Sequence, residues 1–539
     1  MTSAVSTWQP LRSREFRAVF FGVLCTHTAT WVNQVGAATL MSSLTPVPLM
    51  TALVQTAASL PVVLLGLPAG AIADLVDRRL WMRAVQFGML IVASLAFIVS
   101  MLGGTSPVVL LVLTMLVGAG LALQAPAAQA VYGEVVPREE LTEALALGSM
   151  SFNLSRVLGP ALAGVVLGMA GATGLYATLA LCSALVLVSL TRWRSRKEIS
   201  RVAPERLWSA LRGGLRYVRH SPDCHRPLLH TFTYTSSGSA AWALLPVLAR
   251  DVYGLGAQGY GLLLGSFGLG GLVGVLVMGR VRQRWPLQRI MFVSTAAFAA
   301  VTAILAMAAP AGVTLAALLI GGTAWMIGAT LMYTALQDTL PGWVRARGLS
   351  FYNLIYFTAM AGGAAVWGIL TGPIGTRGAL GAAALCMGMV SCAFVSWPLR
   401  PATASLIRAT APLYDGATPS DRFAFESRNG PLMVQISYRV RPECNSEFLQ
   451  IARDVGLSCR RNGAIFWRLF REIESPELYV ERYMLDSWLD HTRHLDRTTA
   501  TDRELRERLA RCLIAGSEPL VRHQLVEDLA GAAVKSPLS

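Results

Sequence analysis

The sequence predicts an all-α polytopic membrane protein, with twelve transmembrane helices in two six-helix halves, followed by a small C-terminal ferredoxin-like α+β domain. Three observations carry that expectation. Hydrophobic residues make up 54% of the 539 and charged residues 14%, with mean hydropathy +0.50, a balance outside the usual range of soluble domains. Apolar runs of about 20 residues, the length that crosses a hydrocarbon core, recur along the first 400 positions. Basic residues gather on every second link between those runs.

The runs lie near 17–40, 47–73, 82–102, 107–131, 142–169, 173–191, 227–249, 259–280, 288–309, 312–336, 347–371 and 376–398. Arg12, Arg14 and Arg17 precede the first, and no small-residue cleavage site follows it, so it is expected to be a retained span. The links after the even runs carry Arg78, Arg79 and Arg83; Arg138; the long 192–226 loop with ten Lys and Arg; Arg280, Arg282, Arg284 and Arg289; and Arg345 and Arg347. The links at 103–107 and 170–174 are short and uncharged. By the positive-inside rule both termini and the central loop face the cytoplasm of a cell (inner) membrane.

The expected organisation is therefore an N-terminal half (1–191), a cytoplasmic central loop (192–226), a C-terminal half (227–398), a linker (399–429) and a soluble cytoplasmic domain (430–530). The halves echo each other weakly. Gly133 to Arg138 followed by Ser151-Phe152-Asn153 is answered by Gln337 to Pro341 followed by Ser350-Phe351-Tyr352-Asn353, as internal repeats of transporters do. Beyond the linker, 432–438 reads as a strand, 445–461 as an amphipathic helix, 464–473 and 477–485 as a hairpin, and 487–494 and 502–514 as further helices. This β-α-β-β-α order is what suggests the ferredoxin-like domain.

The net charge of +15 does not call for nucleic acid: 20 of the 46 Lys and Arg, against 19 of the 31 Asp and Glu, lie from Arg400 onward, and the surplus sits on the membrane links. Eight scattered cysteines without metal-ligand spacing exclude a disulfide framework and a zinc site, so no metal or other cofactor is expected. Three ionisable residues fall at membrane depth, where charge is expensive: Arg156, Glu134 and Asp338. Arg156 lies within an apolar run, so it is expected to meet Glu134, Asp74 or an anionic ligand, or else to snorkel to the interface. Polar uncharged residues on the spans, Asn33, Gln34, Gln55, Gln124, Gln129, Asn153, His230, Tyr234 and Asn353, are candidates for a substrate path or for glue between helices. His27 and His230 are proton-carrier candidates or ordinary structural histidines.

Gly70-Ala-Ile-Ala-Asp74-Leu-Val-Asp77-Arg78-Arg79 resembles the loop 2–3 signature of the major facilitator superfamily, with Leu75 and Asp77 in place of its usual Arg and Gly. The resemblance implies a cytoplasmic gate formed by Gly70, Asp74, Asp77, Arg78 and Arg79. Gly159-Pro160-Ala-Leu-Ala-Gly164 resembles the packing motif of the antiporter branch, which implies export. The layout as a whole, including Pro61 and Leu245 to Asp251, resembles the transmembrane secretion effector branch that includes the enterobactin exporters. That likeness implies proton-driven efflux of siderophores or similar amphiphiles by alternating access, with no enzymatic step. The tail, with Trp488 to His494, resembles small dimeric domains of the antibiotic-biosynthesis monooxygenase type, which implies a regulatory or homodimerising module. The rival readings are an importer of a small anion, drawn by Arg156, and a membrane-anchored enzyme or sensor acting through the tail. On this topology, tags at Ser3 and Ser539 are both reached by reagents only from the cytoplasmic side; labelling of the C-terminal tag from outside intact cells would overturn it.

Overall fold

A computed structural model describes residues 8–137, 140–192, 214–341, 344–397 and 431–525. The expected linker 399–429 and residues 193–213 of the central loop lie outside them. The chain forms two compact units, Met1–Ala203 with Leu228–Tyr333 and Tyr352–Leu399, and Pro204–Pro227 with Thr334–Phe351 and Arg400–Ser539.

The apolar part builds long helices: α1 (Arg14–Leu44), α2 (Pro48–Leu75), α3 (Arg78–Met101), α4 (Pro107–Val135), α5 (Leu141–Arg192), α6 (Pro222–Asp251), α7 (Ala257–Arg284), α8 (Leu287–Ala306), α9 (Ala311–Thr339) and α10 (Arg345–Ser396). Eight of the described helices are long and apolar enough to cross a membrane. α1 and α6 are not among these eight. Each carries several charged or polar side chains, such as Glu15, Asn33 and Gln34 on α1 and His225, His230 and Thr231 on α6. The 52-residue helices α5 and α10 are each interrupted by one glycine, Gly171 at φ 58° and Gly375 at φ 71°. Only glycine adopts such a conformation without steric cost. Local chemistry fixes the starts: Ser13 and Ser106 accept from the backbone N–H three residues on, and Pro48 and Pro107 occupy first-turn positions where no N–H is missed.

The packing is inside out relative to a soluble protein. On α3, Phe87, Ile91, Leu95, Ile98 and Leu102 form an exposed stripe at helical spacing, while Met82, Gln86, Ala93 and Ala96 are buried. Small and polar residues face neighbouring helices and large apolar ones face outward, which is stable only where the surroundings are lipid.

In the smaller unit, β1 (Leu432–Arg439), α11 (Asn445–Arg461), β2 (Phe466–Arg471), β3 (Leu478–Leu485), α12 (Trp488–Asp496), α13 (Ala500–Ala510) and β4 (Leu520–Leu525) follow the linker. The strands form one antiparallel sheet in the order β2-β3-β1-β4. Leu432, Val434, Ile436 and Tyr438 alternate onto the inner face of β1 and meet Phe448, Ile451, Val455 and Cys459 of α11. The strand β4 has no counterpart in the elements expected from sequence: Leu520-Val-Arg-His-Gln-Leu525 alternates only weakly, and its pairing with β1 holds it. Of the aromatics on the hairpin, Tyr479 and Tyr483 are buried and Phe470 is exposed, so the sheet covers more of its own apolar face than a bare hairpin would.

A charged group occupies the middle of this core. Glu481 is 1% exposed and receives hydrogen bonds from Tyr438 Oη (2.7 Å), Trp467 Nε1 (2.9 Å) and both terminal nitrogens of Arg506 (2.6 and 3.1 Å). Burial raises its pKa, but the Arg506 charge and these hydrogen bonds outweigh that and hold it below the ordinary carboxylate value. The stabilisation it gives is present above the unfolded carboxyl pKa and is lost as pH falls through the depressed folded value. Glu481→Ala leaves a buried guanidinium unpaired and is expected to cost about 3–5 kcal/mol. Amide hydrogen exchange across β1 and β3 of the full chain measures it; unchanged protection there would show the pair to be dispensable.

Candidate functional site

The site is built around Arg156, which α5 carries one turn before Pro160. The residue is 7% exposed. Its guanidinium reaches from α5 to α9 and α7, where Nη1 lies 3.4 Å from Met326 Sδ of α9 and Cζ lies 5.6 Å from the centre of the Phe267 ring of α7. A Cβ on Gly271 would sit 2.8 Å from Nη2, so the space the guanidinium fills exists because that residue has no side chain. Nε and Nη2 are buried with no hydrogen-bond partner among the described residues. A thioether is a weak acceptor, and buried unsatisfied donors on a cation are costly.

A cluster of aromatic rings continues from Phe267. Phe267 meets Trp242 of α6 edge to face at 4.9 Å, Trp242 meets Trp325 of α9 at 6.0 Å, and Trp31 of α1 approaches Trp242 at 6.2 Å. Trp242 Nε1 is a further buried donor without a partner among the described residues. Trp242 also borders a cavity of about 10 Å³, room for a single water, with Gln34 and Gln55. There Gln34 Nε2 donates to Gln55 Oε1 (2.8 Å) and Gln55 Nε2 to Ser59 Oγ (3.1 Å). Cationic donors, an indole N–H and flat apolar faces make a surface suited to an anion with a ring or an apolar body.

Helices pack closely beside α5 just beyond Arg156. Gly159 lies against Trp31, where a Cβ would come within 2.4 Å of that residue's Cβ. Pro160 O and Gly164 Cα line the place where a Cβ on Gly261 of α7 would stand, at 2.9 and 3.5 Å. Toward the start of α2, Thr56 Oγ1 donates to Ala361 O of α10 (2.9 Å), and Arg250 at the end of α6 donates to Ser42 O and, at 2.9 Å, to Thr45 O. Gly159, Pro160 and Gly164 thus stand at helix contacts that leave no room for larger side chains.

The residues of the expected gate divide. Asp77 caps α3: its Oδ1 accepts from the N–H of Arg79 (2.9 Å) and of Leu80 (3.1 Å). Arg79 donates to the last carbonyls of α5, Leu190 O (3.2 Å) and Thr191 O (2.9 Å), where a cation also meets the negative end of the helix dipole. Arg78 begins α3. The side chains of Gly70 and Asp74 lie outside the described residues, as do those of Asn153, Gln129 and Glu134. Among the path residues, Asn33 and Gln124 are buried and Asn353 is exposed. Gln34 is brought to Trp242; Asn353 is not brought to it. Glu143, in the first turn of α5, keeps Oε2 buried with no hydrogen-bond partner among the described residues.

Sequence reasoning missed Gly271, Phe267, Met326, Trp242 and Trp325. The signal for the tryptophans was available, since an indole inside an apolar span must place its N–H somewhere. Nothing in the sequence paired them with Arg156.

The description transmembrane secretion effector matches residues 5–530, and the chain belongs to that family. The staphyloferrin A transporter of Staphylococcus aureus (strain NCTC 8325 / PS 47) is 24% identical over 257 residues, which is 47% of this chain and 63% of that protein. An uncharacterized MFS-type transporter of Sinorhizobium fredii (strain NBRC 101917 / NGR234) is 27% identical over 241 residues, 43% of this chain and 58% of the other. The chain thus spans about three fifths of the length of these curated relatives. Among solved structures, a bacterial homologue of the human lysosomal transporter Spinster superposes with a TM-score of 0.57 at 16% identity over 72% of this chain and 97% of its own. A D-xylose-proton symporter does so with 0.57 at 13% identity over 72% and 98%. The family makes the chain a multi-pass membrane protein of the major facilitator type, and these solved structures share its fold.

Gly271→Leu puts a branched side chain into the volume of the Arg156 guanidinium and is expected to lower transport at least about tenfold at unchanged membrane abundance. Vesicle transport at matched protein levels checks this, and wild-type rates would show that the guanidinium has no fixed seat there.

Proposed function

We propose that this transporter is a proton-driven exporter of a small amphiphilic anion, of which a siderophore is an example, working by alternating access between two six-helix halves. The observation that carries the reading is Arg156: buried, it leaves Nε and Nη2 without acceptors among the described residues, beside the Phe267 ring that joins it to an aromatic cluster. A carboxylate or similar anion supplies the planar bidentate partner that a guanidinium takes best. The staphyloferrin A transporter among the relatives supports a siderophore as cargo.

Twelve spans follow if α5 and α10 each count twice, broken at Gly171 and Gly375, with α1 and α6 as spans despite their polar residues. With basic links in the cytoplasm of the inner membrane, the contacts of Thr56, Arg250 and Gly261 close the outer side. Asp77 and Arg79 then brace the inner ends of helices in the first half, and Gly70, Asp74 and Arg78 complete the gate that the rocking halves open and close. Asn33, Gln34, Gln124, Asn153 and Asn353 serve the path, and Glu143 is the carboxylate best placed to couple a proton. The sheet order of the tail fits a ferredoxin-like module, and its exposed edge residue Phe470 suits pairing with a second copy.

Efflux in inside-out vesicles separates the roles of Arg156. Arg156→Ala is expected to abolish transport without loss of protein from the membrane, and Arg156→Lys to reduce it by about tenfold or more, because an ammonium lacks the planar fork. Wild-type efflux with Lys would leave this residue no part in recognising cargo.

A further inference from the structure

The smaller unit holds a second place built for negative charge, distant in the chain from Arg156. Residues 214–219 form a short helical stretch that ends at His220, just before α6. Against it lies the corner where α11 turns into β2. The cavity between them has a volume of about 410 Å³, within the range of small-molecule sites. Arg216, Arg219 and His220 line it from one side and Arg460 and Arg468 from the other, and among the described residues no carboxylate is in its lining.

These cations are held in place but not neutralised. Arg216 Nη1 donates to Gly463 O and so ties the two walls together. Arg460 Nη2 (3.2 Å) and Arg468 Nη1 (3.1 Å) both donate to one neutral acceptor, the carbonyl of Trp467. A single peptide oxygen cannot balance two guanidinium charges, and four arginines around one cavity repel each other until an anion enters. The rest of the lining is flat or apolar: Trp467 is fixed by its bond to Glu481 and by contact with Gly456, and Ile465, 44% exposed, stands beside Phe466.

We propose that this cavity binds an amphiphilic anion, a molecule with a carboxylate, sulfonate or phosphate group next to an apolar body. One wall belongs to the segment that joins the two six-helix halves and the other to the tail, so an occupant bridges them and adds to the contacts that Arg216 and Tyr217 already make with the tail. This gives the tail a ligand-dependent hold on the chain just before α6, independent of any role for Arg156.

The test uses the full chain in phosphatidylcholine nanodiscs with naphthalene-2-sulfonate as the probe, measured by equilibrium dialysis. A saturable component is expected that the R219Q/R468Q double variant, changed at two exposed side chains, weakens by about tenfold or more. The same component is expected to be unaffected by R156Q and not displaced by 2-naphthylmethanol, which has the ring without the charge. Exchange of the lipid for phosphatidylglycerol distinguishes the sources of the anion: displacement of the probe assigns the site to a lipid headgroup phosphate, and unaltered affinity assigns it to a soluble organic anion. Wild-type affinity in R219Q/R468Q, or equal displacement by the neutral alcohol, overturns the proposal.

Discussion

Water is absent from a bilayer core, and most of this structure follows from that. Every backbone group in the apolar part must find its partner within a helix, and polar side chains must find theirs on neighbouring helices. Threonines and serines return to carbonyls of their own turns, as Thr114 does to Leu110 O and Thr302 to Phe298 O. Others bridge helices, as Thr28 does to Ser155. Against that background the unpartnered donors of Arg156 and Trp242 stand out. Close helix packing stands near Arg156 along α5, at Gly159 against Trp31 and Pro160 against Gly261.

The helices were legible because their signals are local and repeated. Apolar length, Ser13 and Ser106 as caps, and first-turn prolines at 48 and 107 are all read along the chain, and the helices begin there. The interruption at Gly171 was legible as a short uncharged link and that at Gly375 as the gap between two apolar runs, although a single glycine suffices where a turn of several residues was expected. The strand β4 was not legible. Its alternation is weak, and what makes it a strand is β1, more than 80 residues earlier in the chain.

At the site, sequence showed the anomaly and not its surroundings. Arg156 was conspicuous as a charge that topology does not explain, whereas Gly271, Phe267 and Met326 are ordinary residues of apolar helices until the fold brings them to it. The loop 2–3 motif shows the converse. Its residue types suggested contacts across a gate, yet the shortest bonds Asp77 makes are to the first turn of its own helix. An N-cap aspartate and a gate aspartate look alike in sequence, because both rely on a carboxylate meeting unsatisfied N–H groups.

Charge placement draws together what remains. The positive-inside rule accounts for arginines on the links by topology alone, and it treats Arg216 and Arg219 like any others. It does not account for the company they keep. Arg216 donates to Gly463 O, and Arg461 lies 5.7 Å from the Tyr217 ring while its Nη2 pairs with Asp502. Topology asks only that such residues be basic and on the cytoplasmic side. Convergence of four arginines on one cavity asks for positions as well as sign. In the tail, Asp502 and Glu481 each find an arginine partner in the core, so the arginines left facing the cavity without a carboxylate are a property of this arrangement and not of a chain short of acids.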